Sequence, residues 1–265
     1  MTLIIGIKCR DGVVMGADSA ATFATSTGQS TIIQSVTKLV NPAGPIIAGT
    51  SGPIGLGQLF ADDIGKLWQD NKLGMGVSRE DGMRLVRDAV APDVQKVLQS
   101  AAAAAPSIGQ NIAAQTVLST TLVALPVGGN AELFLCDHAG NPEAAIDLPY
   151  FTIGSGQIQA DPFLAFIRRV FWPTGLPRIS EARLAVVWAL EHCISIHPGG
   201  VAAPIQLATL SKGSGNQFTA KILNEAEIDS HHEQIVEVEA YLGAYWTSGT
   251  TAPSEPPSPP ETQST

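Results

Sequence analysis

Two apolar runs on either side of an Asp-Gly pair constrain the fold of this chain more than any other feature. Residues 3–7 (LIIGI) and 13–17 (VVMGA) flank Asp11 and Gly12 near the amino end. Such a pattern is typical of a β-hairpin, because glycine tolerates the positive φ that a tight primed turn requires. We therefore predict that the chain begins with two antiparallel strands.

The register of that hairpin decides which residues surround the amino end. If the Asp-Gly pair forms the loop, Arg10 pairs with Val13 and Thr2 lies roughly opposite Ala21. At ~3.3 Å per residue, the side chain of Asp18 is then within reach of the first residues. The sequence thus predicts an acidic group beside Thr2.

Thr2 is a candidate nucleophile. It is small enough that an aminopeptidase is expected to remove Met1, which leaves a hydroxyl and a free α-amine on one residue. The unperturbed pKa of an α-amine, ~7.7–8.0, suits a general base that takes the hydroxyl proton. Many unrelated proteins also begin with Met-Thr, so this feature alone does not establish an enzyme.

Composition narrows the class of protein. The chain has 265 residues, 45% of them hydrophobic, and a net charge of −9, which argues against nucleic acid or an anionic membrane as the main partner. Its three cysteines are far apart in apolar surroundings, which predicts reduced thiols and a cytoplasmic protein. The histidines lack metal-ligand spacing, so neither a metal nor a cofactor is expected.

The rest of the chain alternates groups of strands with groups of helices. Residues 20–31 are predicted as a Ser/Thr-rich loop and residues 32–40 as one strand, and Pro92 is expected to kink or split the second helix. Further strands are predicted at 45–48, 116–125, 131–137, 150–153, 201–210 and 217–223, with helices around 56–68, 78–97, 163–171 and 180–194.

This order of elements favours an α+β fold over a parallel βαβ sheet. Two antiparallel sheets packed face to face, each covered outside by a helix pair, would bury every apolar face as a four-layer αββα sandwich. Residues 2–246 are predicted to form a single domain. Residues 247–265, rich in Pro, Ser, Thr and Glu, are predicted to be a disordered tail.

The amino-terminal segment resembles the opening of proteasome β-subunits and of the peptidase subunit of the bacterial HslV protease. The likeness covers roughly residues 2–210, but only the first fifty residues and the Gly-Ser-Gly stretch are specific. After residues 2–22, residues 46–49 (IIAG) and 153–157 (IGSGQ) match two later family motifs in order and spacing. The amino-terminal similarity, acidic composition and long tail are most similar to the betaproteobacterial proteasome homologue group. The resemblance implies an N-terminal nucleophile hydrolase fold.

The resemblance also implies a role for each of five residues. Thr2 would be the nucleophile and its own amine the base, and Asp18 would orient and polarise the amino end. The positive charge of Lys38, four residues later than strict family spacing, would disfavour protonation of the amine. Ser155 would shuttle the amine's proton, and the Gly49 N–H would donate to the developing oxyanion.

The substrate contacts follow from the same resemblance. Thr22 would hydrogen-bond an extended substrate backbone. The specificity pocket would involve Ala21, Val40, Ile47 and Ser51. Small, apolar walls of this kind predict a preference for a medium-sized apolar side chain.

One departure from the family pattern bears on activity. Where proteasome β-subunits carry an Asp and a Ser before a Gly-Gly pair, this chain has Ser195 and Pro198. The site therefore lacks a carboxylate that would support the serine and the amine. Because HslV-like subunits lack it too, we expect activity that is weak rather than absent.

The resemblance implies a threonine endopeptidase that assembles into a homo-oligomeric ring or double ring and hydrolyses unfolded peptides. An unfoldase ATPase is a candidate partner, whose existence the sequence leaves open. Two alternatives stay open. A catalytically silent ring scaffold would keep the fold and is motivated by the departure at Ser195 and Pro198. A small-molecule amidohydrolase would use the same nucleophile on a different substrate.

Overall fold

The computed structural model describes residues 2–24, 30–109, 118–196 and 200–247. Within these ranges the strands are β1 (Ile4–Lys8), β2 (Gly12–Ala17), β3 (Ala20–Ala24), β4 (Ser30–Ser35), β5 (Leu39–Val40), β6 (Ile47–Ser51), β7 (Thr120–Val127), β8 (Asn130–Cys136), β9 (Pro142–Ala144), β10 (Tyr150–Ile153), β11 (Gln206–Lys212) and β12 (Phe218–Ile222). The helices are α1 (Ile54–Gln69), α2 (Arg79–Ile108), α3 (Gln157–Phe171), α4 (Ile179–Ile196) and α5 (Glu225–Thr247).

Two five-stranded antiparallel sheets form the centre of the molecule, in the orders β10-β1-β2-β11-β12 and β5-β6-β7-β8-β9. One apolar cluster lies between the sheets, and a second separates the second sheet from α1 and α2. A third cluster joins the first sheet to α3 and α4 and includes Ile235 of α5. Helix α5 packs against α4. The predicted α+β four-layer sandwich is confirmed, with α5 as an additional outer helix.

The amino-terminal hairpin is present, but its predicted register is wrong by two residues. Lys8 pairs with Val13, and the Cys9 N–H donates to the Gly12 carbonyl at 2.8 Å, so Arg10 and Asp11 form the loop. Gly12 belongs to β2, where the Leu210 carbonyl oxygen would lie only 2.1 Å from an added Cβ. The glycine is therefore needed for close strand packing rather than for a positive φ.

The predicted loop at 20–31 and single strand at 32–40 are also wrong. Strands β3 and β4 form a separate two-stranded sheet, whereas β5 joins the second main sheet. Between them, the Val36 N–H donates to the Ser19 carbonyl at 2.9 Å, outside both sheets. Hydrogen bonding to another part of the chain thus interrupts an otherwise strand-like run, which no local pattern reveals.

The second helix is not split at Pro92. Helix α2 runs unbroken through Pro92 and Pro106 from an N-cap at Ser78, whose hydroxyl accepts from the Asp81 N–H at 3.0 Å. Pro92 and Asp88 are both exposed, so water can solvate the Asp88 carbonyl that loses its helical donor. The predicted capping residue is confirmed.

The carboxyl-terminal boundary stays a prediction. Helix α5 ends at Thr247, and residues 248–265, which make up the rest of the predicted tail, lie outside the described residues.

Candidate active site

Thr2 lies just before β1, against the turn that joins β10 to α3. Its backbone nitrogen donates to the Ser155 Oγ at 3.2 Å, and its carbonyl accepts from the Gly156 N–H at 3.2 Å. The structure therefore brings Ser155 beside the amino end, where the sequence analysis expects it.

Two glycines allow this turn to approach the amino end closely. Gly154 has φ +98°, and a Cβ there would lie 2.1 Å from the Thr2 carbonyl oxygen. A Cβ on Gly156 would lie 2.8 Å from the Leu3 Cβ. Any side chain at Gly154 would thus displace Thr2 and strain the backbone.

Asp18 is completely buried at the end of β2. Its Oδ1 accepts from the Leu3 N–H at 2.8 Å, and its Oδ2 accepts from the N–H groups of Ala20 at 2.9 Å and Ala202 at 3.3 Å. The carboxylate therefore holds the residue next to Thr2, which agrees with the orienting role that the family resemblance implies.

Lys38 forms an ion pair with Asp18. Its Nζ lies 2.5 Å from the Asp18 Oδ1, and only 6% of its side chain is exposed. Burial lowers the pKa of the Lys38 ammonium, while the Asp18 carboxylate opposes that shift. The site thus combines a buried anion and a buried cation at the amino end of the chain.

Gln206 belongs to the same cluster, although sequence reasoning missed it. Its Nε2 donates to the Ser19 Oγ and to the Val36 carbonyl, each at 2.7 Å. Its Oε1 accepts from the N–H groups of Lys38 at 2.8 Å and Leu39 at 3.2 Å. A single glutamine at the start of a strand carries no sequence signal of such a role.

A cavity of about 790 Å³ opens beside Thr2. Its lining comes from the amino end, β3, the segment around β5, β6 and the start of α1. The lining residues are Thr2, Ala20, Ala21, Val36, Thr37, Lys38, Val40, Pro42, Ala48, Gly49, Thr50, Gly52, Pro53, Ile54, Gly57, Gln58, Ala61 and Asp62. The cavity is large enough to hold a side chain next to the candidate nucleophile.

The predicted pocket residues are only partly found there. Ala21 and Val40 line the cavity, whereas Ile47 is fully buried in the cluster between the sheets, so its predicted position in the pocket wall is wrong. Side chains alternate along a strand, and Ala48 lines the cavity instead. Ser51 is not a lining residue, and the side chain of Thr22 lies outside the described residues.

Gly49 lines the cavity at the centre of a close-packed region. It pairs with Leu39 of β5 and Leu122 of β7, and an added Cβ would lie 3.0 Å from the Leu39 Cδ2 and 3.2 Å from the Ile4 Cδ1. The backbone at this position is therefore held firmly in the cavity wall, but its role as an oxyanion donor stays a prediction.

The segment that departs from the proteasome pattern lies at the end of α4. The Ser195 hydroxyl donates to the His192 carbonyl of its own helix at 2.8 Å and is exposed to solvent. Pro198 lies outside the described residues. The contact to Asp18 from this part of the chain comes instead from the Ala202 backbone N–H.

Two absences hold for the described ranges. Among these residues no group of three His, Cys, Asp or Glu side chains could hold a metal ion. In the same part of the chain no helix is long and apolar enough to cross a membrane.

Comparisons with known proteins add one result. No protein-family model and no curated protein matches the chain. Among solved structures, Anbu (ancestral beta-subunit) from Yersinia bercovieri matches with a TM-score of 0.62 and 16% identity, over 91% of this chain and 97% of that one. The chain has the αββα sandwich of the N-terminal nucleophile hydrolase fold, which that protein shares.

Two structures of Anbu from Hyphomicrobium sp. strain MC1 give the same result. One, a Gly-1 mutant, matches with a TM-score of 0.61 and 16% identity over 93% of this chain and 100% of the other. The second matches with a TM-score of 0.61 and 17% identity over 96% and 99%. Identities this low show a shared fold and nothing finer.

These matches correct the family placement made from sequence. The sequence motifs predict a likeness to proteasome β-subunits and HslV, and most of all to the betaproteobacterial proteasome homologue group. The structural neighbours are instead Anbu proteins. The placement depends on the amino-terminal similarity, the acidic composition and the long tail, and features this general do not separate one branch of this fold from another.

Proposed function

We propose that the protein is a threonine-type peptidase in which Thr2, freed by removal of Met1, is the nucleophile. The proposal rests on one observation: Ser155, Asp18 and Lys38 lie together around the Thr2–Leu3 backbone, beside a cavity of about 790 Å³. These groups come from distant parts of the chain, and the packing of the turn and strands brings them to one point.

In the proposed reaction the Thr2 Oγ attacks the carbonyl carbon of a peptide bond, and the Thr2 α-amine accepts the hydroxyl proton. The backbone N–H of Gly49 donates to the developing oxyanion. The C–N bond then breaks, the leaving amine takes the proton, and an ester remains on Thr2. Water, deprotonated by the same amine, hydrolyses that ester and restores the threonine hydroxyl.

The electrostatics of the site support a neutral amine at working pH. Lys38 carries a positive charge that disfavours a second cation nearby, whereas Asp18 is already engaged by Lys38 and by backbone N–H groups. Ser155, 3.2 Å from the Thr2 nitrogen, is in place to pass a proton to or from it. Lys38 thus favours the base form of the amine, and Ser155 can transfer its proton.

The cavity supports a preference for a medium-sized apolar side chain. Alanines, Val40 and Ile54 supply apolar walls, and Gln58 and Asp62 contribute polar groups from α1. An extended peptide lying across the cavity would present one side chain to it and its carbonyl to Thr2.

The test is an intact mass of protein purified from its native host, before and after reaction with an epoxyketone or boronate. We expect loss of Met1 and covalent epoxyketone labelling at Thr2. The Thr2→Ala variant should not be labelled, and Thr2→Ser, which keeps a hydroxyl, should be. A native protein that retains Met1, or labelling of Thr2→Ala equal to wild type, would contradict the proposal.

A catalytically silent scaffold is the second candidate function. It is favoured by the Ser195 hydroxyl, which is exposed and bonded within its own helix and so offers the amine no support. Normal assembly without any labelling at Thr2 would favour it. A panel of peptides and amide metabolites would separate a peptidase from an amidohydrolase.

A further inference from the structure

We propose that Gln206 is a positioning residue of this site: its side-chain amide holds Lys38 in contact with Asp18. The catalytic consequence of this arrangement rests on the proposed peptidase function, whereas the structural role can be tested without it. The inference comes from four hydrogen bonds made by one carboxamide.

The segment that carries Lys38 needs support from outside its own strands. Strand β4 ends at Ser35 and β5 begins at Leu39, so Lys38 lies in the short connection between them. The strands also belong to different sheets, which means that neither sheet alone sets the position of the connection. The connection lies outside both sheets, and its Val36 N–H donates to the Ser19 carbonyl at 2.9 Å.

Gln206 supports this connection through both the oxygen and the nitrogen of its side-chain amide. Its oxygen accepts from the Lys38 N–H at 2.8 Å and the Leu39 N–H at 3.2 Å. Its nitrogen donates to the Val36 carbonyl and the Ser19 Oγ, each at 2.7 Å. The connection is thus bound before and after Lys38 by the same planar group.

The pairing of β2 with β11 positions both Gln206 and Asp18. Gln206 opens β11 and pairs with Ala17 of β2, the residue immediately before Asp18. One strand pair therefore places both the carboxylate and the group that holds the lysine. The contact between Lys38 Nζ and Asp18 Oδ1 follows from that shared frame.

The neutral amide suits this task better than a charged group. A glutamate at 206 would keep oxygens for the Lys38 and Leu39 N–H groups but would point a second oxygen at the Val36 carbonyl. It would also add a negative charge beside the ion pair of Lys38 and Asp18. An apolar residue of similar size would leave buried backbone groups without hydrogen bonds.

The test compares wild type with Gln206→Leu and Gln206→Glu, with the exposed Gln99→Ala of α2 as the matched control. We expect faster hydrogen exchange at the Lys38 and Leu39 amides in Gln206→Leu and faster acylation of Lys38 by acetic anhydride, measured by mass spectrometry. Gln206→Glu should keep amide protection better than Gln206→Leu and adds a milder variant if Gln206→Leu does not fold.

The catalytic readout is the rate of Thr2 labelling by an epoxyketone as a function of pH. Displacement of an active-site group by about 1 Å costs on the order of 100-fold in rate, and we expect a loss of this order in Gln206→Leu. If the Lys38 ammonium moves away from Asp18 in Gln206→Leu, the uncompensated Asp18 charge favours protonation of the Thr2 amine. The acid limb of the profile should therefore move up by about one pH unit.

The outcomes separate the two proposals. Unchanged amide exchange and Lys38 acylation in both Gln206 variants would overturn the positioning role, whatever the labelling shows. Altered exchange with an unchanged rate and pH limb would overturn its catalytic consequence. A wild-type protein that never labels at Thr2 would overturn the proposed function, while amide exchange and acylation still decide the role of Gln206.

Discussion

Asp18 and Lys38 are the residues on which the arrangement of the amino end depends most. Both are nearly withdrawn from water, and the cost of burying two charges is offset by their mutual attraction and by the N–H groups that Asp18 accepts. Such a pair contributes less net stability than its short distance suggests. Its main effect is to fix one geometry, since removal of either partner leaves a buried charge alone.

The first prediction follows from the cost of leaving one of these charges buried without its partner. Asp18→Asn should destabilise the fold by about 3–5 kcal/mol, because it leaves Lys38 without its counter-charge and removes one acceptor oxygen. Urea unfolding followed by circular dichroism measures the change. Lys66→Gln is the matched control, since the Lys66–Asp62 pair is exposed, and it should leave stability essentially unchanged. Equal effects of the two substitutions would contradict the prediction.

Gly154 gives a second prediction at this scale. Gly154→Ala should lower both thermal stability and Thr2 labelling, because its Cβ would meet the Thr2 carbonyl at 2.1 Å and its φ of +98° strains an alanine. Gly55→Ala is the control: no atom lies within 4 Å of its added Cβ. As a helical Gly→Ala change it should stabilise by about 0.5–1 kcal/mol. Calorimetry measures the thermal stability of both variants, and reaction with an epoxyketone measures their labelling at Thr2.

Among the secondary structure elements, α5 contacts the rest of the molecule mainly through α4. Its buried residues are His231 and Ile235, and the Trp188 Nε1–H of α4 donates to the Glu239 carboxylate at 2.7 Å. Burial lowers the pKa of His231, and the Arg183 guanidinium acts in the same direction. The helix therefore carries a buried neutral imidazole at its contact with the domain.

The third prediction concerns the pH dependence of that contact. The folded-state pKa of His231 lies below the unfolded value of 6.5, so the unfolded state binds more protons as pH falls below 6.5 and stability is lost. His231→Phe should lose less stability than wild type between pH 7.5 and 5.5. Urea unfolding at both pH values, measured on wild type and variant, tests it.

The neighbouring histidine provides a control of opposite sign. Glu191 raises the pKa of His232, so its contribution is present at low pH and is lost as pH rises. His232→Gln should therefore increase the acid-side loss of stability rather than reduce it. If His231→Phe loses as much stability as wild type on acidification, the assigned role of His231 is wrong.

The architecture of the whole molecule explains why the site forms where it does. The two main sheets pack face to face through one apolar cluster, and Ile4 of β1 meets Gly49 of β6 across it. Thr2, at the start of the first sheet, thereby reaches a cavity lined by the second sheet and α1. The site depends on the packing of both halves of the sandwich.

The fourth prediction concerns assembly, which we propose to be a homo-oligomeric ring. Static light scattering should give a mass several times that of one chain. Thr2→Ala should give the same mass, because the substitution removes a hydroxyl at the cavity and alters no outer surface. A monomer in wild type would contradict ring assembly, and a change of mass in Thr2→Ala would show that Thr2 is needed for assembly.

Much of the fold could be predicted from periodicity and turn chemistry. The hairpin, α1, the Ser78 cap and β10 follow from local patterns because their apolar faces are regular and their boundaries carry Gly, Pro or a capping serine. The errors at residues 20–40 and at Pro92 have another origin. In those places long-range hydrogen bonds or solvent exposure, neither of which is local, override propensity.

The layer architecture and the candidate residues Thr2, Asp18, Lys38 and Ser155 could be predicted from the sequence, because strand and helix periods and short motifs are local properties of the chain. The hairpin register, the wall of the cavity and the contacts of Gln206 became clear only in the folded structure. These depend on which carbonyl, amide or side chain from a distant segment comes within hydrogen-bonding or van der Waals distance. Such proximity arises only when the sheets pack.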